Sequence, residues 1–137
     1  MYTMNFWPIL VASVVIFGIS TLWYSPILFG KEWMDLVKLS DEEAEVSRSK
    51  GLWKLYIVQF IMSLISFCVL AFIITSSNSD GASNGAFVGF LVWLGFVMTS
   101  GIGSLIWEKK PFKLVLINSV SILLNLVIGG AIIGAWK

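Results

Sequence analysis

The chain has 137 residues, of which 58% are hydrophobic and 12% are charged, and its mean hydropathy is +0.90. A soluble domain carries about 25% charged residues, so water cannot be the main solvent of this surface. The net charge of +1 points to no nucleic-acid partner. The composition excludes an ordinary soluble domain and favours an integral membrane protein that has the lipid bilayer as its first partner.

Four long uncharged runs follow one another along the chain. A bilayer core needs about 20 apolar residues in a helix, because an α-helix rises about 1.5 Å per residue. Backbone polar groups in lipid must be paired internally, so such runs are expected to be helices. The sequence predicts an all-α four-helix bundle that forms one transmembrane domain over residues 1–137. The predicted spans are about 6–24, 52–74, 85–107 and 114–136, and the predicted first loop is 25–51.

Lysine and arginine are distributed unevenly between the loops. They cluster in or beside the first loop and the third loop, at Lys31, Lys38, Arg48, Lys50, Lys54, Lys109, Lys110 and Lys113. The second loop has none, and the C-terminus has only Lys137. Because basic loops stay in the cytoplasm, loops one and three are predicted to be cytoplasmic and both termini to lie outside. The expected location is the cell (inner) membrane, crossed several times.

Small residues recur at a spacing of four in the third and fourth spans. The predicted helix-packing glycines are Gly85, Gly89, Gly95, Gly103, Gly130 and Gly134. Glycines at this spacing form a groove that lets helix backbones approach closely in lipid. The grooves serve either contacts within the four helices or contacts with another chain. We expect a homodimer or a contact with another membrane protein.

Polar side chains occupy one half of the predicted bundle, the half near the basic loops. The candidate set is Tyr24, Gln59, Ser63, Ser100, Ser104, Asn118, Ser121 and Asn125. An unpaired amide in hydrocarbon is costly, so these groups should face one another or water. They are either links between helices or the lining of a polar cavity open to the cytoplasm. Trp93, near the middle of the third span, is either a packing residue or the floor of that cavity.

Groups that carry catalysis or bind metals are scarce. The chain has no histidine, its single cysteine is Cys68, and no acidic residue lies inside a predicted span. We therefore expect no catalytic, cofactor-binding or metal site, and no enzyme. A coupled transporter needs an ionisable residue in its pathway, which disfavours that class. The leading prediction is a non-enzymatic membrane scaffold or accessory subunit. The alternative is a small uncoupled transporter or a binding protein for a small polar molecule or lipid headgroup.

A family resemblance covers nearly the whole chain. Residues 22–33 read LWYSPILFGKEW, which resembles the LWYSPxxFGxxW motif of a bacterial family of small four-span membrane proteins with a domain of unknown function. WLGF at 93–96, WEKKP at 107–111 and LIN at 116–118 are similar to the third and fourth spans of that family. The resemblance implies a four-span bundle and implies no activity.

Overall fold

In a computed structural model, the structure describes residues 5–24, 28, 30–36 and 52–136. Most of the first loop, including its predicted basic residues Arg48 and Lys50, lies outside the described residues. Regular structure in the described ranges is helical throughout. The helices are α1 (Phe6–Trp23), α2 (Gly30–Leu36), α3 (Leu52–Ser76), α4 (Ala82–Trp107, with a π-helical turn at Trp93–Met98) and α5 (Phe112–Ala135).

Four of these helices are long enough and apolar enough to cross a membrane. They have 18, 24, 26 and 24 residues in their apolar segments, and an α-helix of about 20 residues spans the hydrocarbon core. The predictions of an all-α class and of four spans are confirmed. The helices begin slightly before the predicted spans: α4 begins at Ala82, against a predicted start at 85, and α5 begins at Phe112, against a predicted start at 114.

Short turns connect α3, α4 and α5, so that consecutive helices are antiparallel. Residues 77–81 join α3 to α4, and residues 108–111 join α4 to α5. Pro111 is the N-cap of α5, as expected of a residue that cannot donate a backbone hydrogen bond. At the opposite end, the Gly81 N–H donates to the Gly134 carbonyl at 2.9 Å. The start of α4 is therefore fixed to the end of α5.

The α4–α5 pair is the closest in the bundle, and glycines make it so. A Cβ atom added at Gly85 would meet the Gly130 carbonyl and would lie 3.1 Å from the Gly134 Cα. A Cβ at Gly89 would meet the Leu126 carbonyl. Backbone therefore packs on backbone at this interface, which only residues without a Cβ allow.

The six predicted packing glycines divide into two groups. The structure places Gly85, Gly89, Gly130 and Gly134 within the bundle, between α4 and α5. A Cβ at Gly95 or Gly103 would meet nothing within 4 Å. Gly129, which is not among the six predicted glycines, is covered by the Phe67 ring of α3.

The main cluster of buried hydrophobic residues occupies one half of the bundle. Its residues come from α1, α3, α4 and α5: Ile9, Ala12, Ile16, Phe67, Leu70, Ala71, Ile74, Val88 and Ile133. All lie toward the turn at residues 77–81, and we call this the closed half. The other half, which contains Tyr24, Lys54 and the turn at 108–111, is called the basic half.

The side chains of α3 and α4 are more exposed toward the basic half. On α3 the face that buries Phe67 and Ile74 continues through Tyr56, which is 46% exposed, and Trp53, which is 60% exposed. On α4 the structure shows no buried residue from Trp93 to Trp107. Burial is therefore greater in the closed half, although Leu114 and Ile117 of α5 are buried in the basic half.

Candidate functional site: a polar cluster in the basic half

Tyr24 and Asn118 connect the end of α1 to α5. Tyr24 is the C-cap of α1, and its N–H donates to the Ser20 carbonyl at 3.1 Å, which ends the helix and fixes the residue. Its hydroxyl donates to Asn118 Oδ1 at 2.8 Å, across 94 residues of sequence. A side-chain hydrogen bond also joins Tyr24 to Ser121, which is 4% exposed. These three residues are the polar cluster.

Asn125 lies one helical turn deeper on α5 than Ser121. Asn118, Ser121 and Asn125 have the spacing i, i+3, i+7, so they share one face of the helix. Asn125 Oδ1 is buried, and among the described residues it accepts no hydrogen bond. A buried polar atom without a partner costs about 1–3 kcal/mol. The polar face of α5 therefore ends, toward the membrane centre, in a hydrogen-bond acceptor without a donor among the described residues.

Trp93 links α4 to α5 by a hydrogen bond that the sequence did not predict. Its indole Nε1–H donates to the Ser119 backbone carbonyl at 2.7 Å. Its ring stacks on Phe90, with centroids 6.1 Å apart. Trp93 thus packs between helices and also supplies a donor to a carbonyl of the neighbouring helix, which is a geometry suited to a tryptophan in lipid.

The hydroxyl groups of α4 are bonded within their own helix. A serine or threonine hydroxyl in a helix can donate to the carbonyl four residues earlier, which satisfies it without another helix. Thr99 Oγ1 donates to the Gly95 carbonyl at 2.8 Å, and Ser100 Oγ donates to the Phe96 carbonyl at 2.6 Å. Ser104 Oγ reaches the Ser100 carbonyl at 3.3 Å. Ser100 and Ser104 therefore support α4 and do not join the polar cluster.

The α3 members of the predicted set also lie apart from the polar cluster. Gln59 is exposed, and Ser63 is half-buried. In this part of α3 the contact with α1 is made by Tyr56 and Phe60, which meet the Phe17 ring. Of the eight predicted residues, the structure brings together Tyr24, Asn118 and Ser121, with Asn125 one turn away. A shared cavity formed by all eight stays a prediction.

One buried polar residue was missed because it lies in the closed half. Ser13 of α1 is 0% exposed, and its hydroxyl donates to the Ile9 carbonyl at 2.8 Å. A serine that bonds its own helix leaves no donor unpaired, so it can sit in an apolar core. No sequence signal separates such a serine from one that bonds another helix.

Apart from Asp80 in the turn at residues 77–81, the charged side chains that the structure describes lie at the edge of the basic half. Lys110 Nζ lies 3.0 Å from Glu108 Oε2 in the exposed turn between α4 and α5, where an ion pair contributes little. Within the described residues, no group of three His, Cys, Asp or Glu side chains is placed to hold a metal ion. Cys68 is half-buried and packs against the hydrophobic core.

The protein is a helical bundle of the multi-pass membrane class. It has four helices that are long and apolar enough to cross a membrane, short turns between them and a polar cluster in one half. Residues 7–134 match the model of the family described as Protein of unknown function (DUF1761). The match covers nearly the whole chain, so the chain belongs to this family, and the resemblance to a family of unknown function is confirmed. No curated protein and no solved structure matches the chain.

Proposed function

We propose that this protein is a non-enzymatic membrane protein that binds an uncharged polar molecule, or the uncharged headgroup of a lipid, beside Asn125. The observation that carries the proposal is the buried Asn125 Oδ1, which lacks a donor among the described residues. If the polar residues served only to link helices, each buried acceptor would be expected to have a protein partner.

The chemistry of the cluster selects a donor without charge. Asn125 Oδ1 accepts a hydrogen bond, so the ligand carries an O–H or N–H group. The spans hold no acidic residue in the described ranges, so nothing near Asn125 would neutralise an ammonium group. A hydroxyl group fits these requirements. It comes either from a small polyol in solution or from the glycerol hydroxyl of diacylglycerol.

We propose that the ligand reaches the site from the basic half, where burial is lower. Ile9, Ile74 and Ile133 are 0–1% exposed in the closed half, so the site has no access from that end. The basic half has exposed inner faces on α3 and no buried residue on α4 after Val92, so a ligand would enter from there. The polar cluster lies along this route.

The proposal includes an orientation. Lys54, Lys109, Lys110 and Lys113 all belong to the basic half, so this half is proposed to face the cytoplasm, with both termini outside and the protein in the cell (inner) membrane. An impermeant amine reagent applied to intact cells should leave Lys109 unlabelled and should label it after lysis. Labelling of Lys109 in intact cells would reverse the topology.

The test of ligand binding compares two amide-to-leucine substitutions. Asn125→Leu removes the unpaired acceptor, and Gln59→Leu makes the same chemical change on the exposed face of α3. The full chain in phosphatidylcholine nanodiscs would be titrated with glycerol and, separately, with dioleoylglycerol, and binding read by native mass spectrometry. We expect the wild type and Gln59→Leu to bind one of the two probes and Asn125→Leu to lose most of that binding.

The two probes distinguish the sources of the hydroxyl group. Binding of glycerol indicates a soluble polyol, and binding of dioleoylglycerol alone indicates a lipid. Equal binding to all three proteins would refute the site. A lower free energy of unfolding in Asn125→Leu would also refute it, because that result would make Asn125 a structural link. The proposal requires the opposite change, an increase of about 1–2 kcal/mol in the ligand-free protein, since an unpaired buried amide is removed.

The role of scaffold or accessory subunit stays a prediction from the sequence. Four of the six packing glycines are used between α4 and α5, and Gly95 and Gly103 stand in open space. A homodimer through that face would be broken by Gly95→Leu, measured as the mass of the native assembly in nanodiscs. A wild type that is monomeric at all concentrations and carries no co-purified protein would contradict this role.

A further inference from the structure

A groove runs between α1 and α3 on the outer surface of the basic half. It has a volume of about 360 Å³ and is lined by Val14, Phe17, Tyr56, Ile57, Phe60 and Ile61. The Phe17 ring meets the Tyr56 and Phe60 rings edge-on, with centroids 5.7 and 6.3 Å apart. This volume falls within the range of about 300–1,000 Å³ typical of ligand pockets.

The groove is apolar and open to the hydrocarbon phase. Five of its six side chains are hydrocarbon only, and Ile57 and Ile61 are 50% and 45% exposed. On α3 it extends from Ile61 to Tyr56, a rise of about 7.5 Å along the helix axis. In a bilayer a lipid-facing groove of this kind is filled either by an acyl chain or by another helix.

The end of the groove that faces the water interface is positively charged. Lys54 lies three residues before Ile57 and seven before Ile61, so the three share one face of α3. Lys54 Nζ lies 5.5 Å from the centre of the Trp53 ring, and both residues are exposed. Neither α1 nor the first turn of α3 has an acidic residue. The charge at the mouth of the groove is therefore uncompensated along these two helices.

An apolar groove with a cation at its interfacial end is complementary to one kind of lipid. We propose that the groove between α1 and α3 binds an anionic phospholipid, with an acyl chain against Phe17 and Ile61 and the phosphate beside Lys54. A second helix would satisfy the apolar part of the groove and would gain nothing from the lysine. This site takes a charged headgroup at the interface, whereas the site proposed beside Asn125 takes an uncharged hydroxyl group inside the bundle.

The test removes the lysine charge and keeps the fold, since the side chain is exposed. The full chain in nanodiscs of phosphatidylcholine mixed with phosphatidylglycerol would be analysed by native mass spectrometry for retained lipids. The wild type should retain phosphatidylglycerol in preference to phosphatidylcholine. Lys54→Gln should lower this preference about fivefold, because a lysine near the surface contributes about 1 kcal/mol toward an anionic lipid. Lys54→Arg should preserve it.

Lys109→Gln is the matched control, since it removes a charge from the turn between α4 and α5, away from the groove. It should leave the preference for phosphatidylglycerol unchanged. Equal losses in Lys54→Gln and Lys109→Gln would overturn the proposal, because they would indicate only general attraction to the membrane surface. A wild type without preference would overturn it as well, as would an Ile61→Cys variant that forms a disulfide with a second copy. None of these results depends on Asn125, so the proposed function is tested separately.

Discussion

The closest contact in the bundle yields the most direct prediction. At Gly130 an added Cβ would meet the Gly85 carbonyl oxygen and would stand 3.0 Å from the Gly85 carbonyl carbon. Ordinary Cβ contacts begin at 3.4 Å, and both partners here are backbone atoms that cannot rotate away. Gly130→Ala therefore forces α4 and α5 apart along their glycine interface.

The magnitude follows from three contributions. Overpacking of a tight interface costs about 1–3 kcal/mol. Separation of the helices also strains the Gly81–Gly134 hydrogen bond, 2.9 Å long, and such a bond contributes about 1 kcal/mol. Alanine recovers up to about 1 kcal/mol because it is the better helix former. We expect Gly130→Ala to lower the free energy of unfolding by about 1–3 kcal/mol.

The assay is reversible unfolding in mixed micelles titrated with sodium dodecyl sulfate and followed by circular dichroism. Gly95→Ala is the control, because a Cβ there meets nothing within 4 Å. It should leave the free energy of unfolding unchanged or raise it by less than about 1 kcal/mol. If Gly130→Ala unfolds within about 0.5 kcal/mol of Gly95→Ala, the argument that backbone packs on backbone between α4 and α5 is wrong.

The same titration tests three further contacts. A double-mutant cycle of Tyr24→Phe and Asn118→Leu should give a coupling energy of about 0.6–2 kcal/mol, because the Tyr24 hydroxyl donates directly to Asn118 Oδ1. If the two losses of stability are additive, this hydrogen bond does not contribute to stability. Trp93→Phe should lower the free energy of unfolding by about 1 kcal/mol or more, because the Ser119 carbonyl loses its indole donor, and an unchanged value would contradict that role. Gly81→Ala should cost about 1–2 kcal/mol because its φ of 99° suits glycine; a neutral result would mean that the turn adapts.

The four spans could be predicted because each rests on a local property of the chain. An uncharged run longer than the hydrocarbon core needs no knowledge of its neighbours. The start of α4 was placed late because Ala82, Ser83 and Asn84 resemble a loop. In the structure they form the first turn, where the Asn84 amide donates to the Asp80 carbonyl at 2.8 Å. Short polar side chains suit helix starts as well as loops, so the sequence is ambiguous there.

The sequence predicts how deep the residues of the polar cluster lie in the membrane. It predicts only partly which neighbouring helix each side chain faces. The spacing of Asn118, Ser121 and Asn125 places them on one face of α5, and their position in the span gives their depth. Gln59 has the same depth, yet it is exposed, because α3 packs on α1 there through Tyr56 and Phe60 and not through Gln59. The angle at which a helix leaves its neighbours depends on packing between segments distant in sequence.

The π-helical turn at Trp93–Met98 was also beyond reach of the sequence. It rotates the residues that follow it relative to those before it. Gly95 also lies six residues after Gly89, which takes it off the i, i+4 row of Gly85 and Gly89 even in a regular helix. A Cβ at Gly95 or Gly103 accordingly meets nothing within 4 Å.

The difference between the closed half and the basic half follows from the order of small and large residues along α4 and α5. Near the turn at 77–81 the two helices meet backbone to backbone through Gly85 and Gly130. Further along, the Trp93 indole lies between them, and near Gly101 the contact is made by the side chains of Ser119 and Val115. A layer of side chains replaces direct backbone contact, so the helices stand farther apart in the basic half. Polar groups can then lie between helices only at that end, which is why the cluster and the way into it occupy the same half.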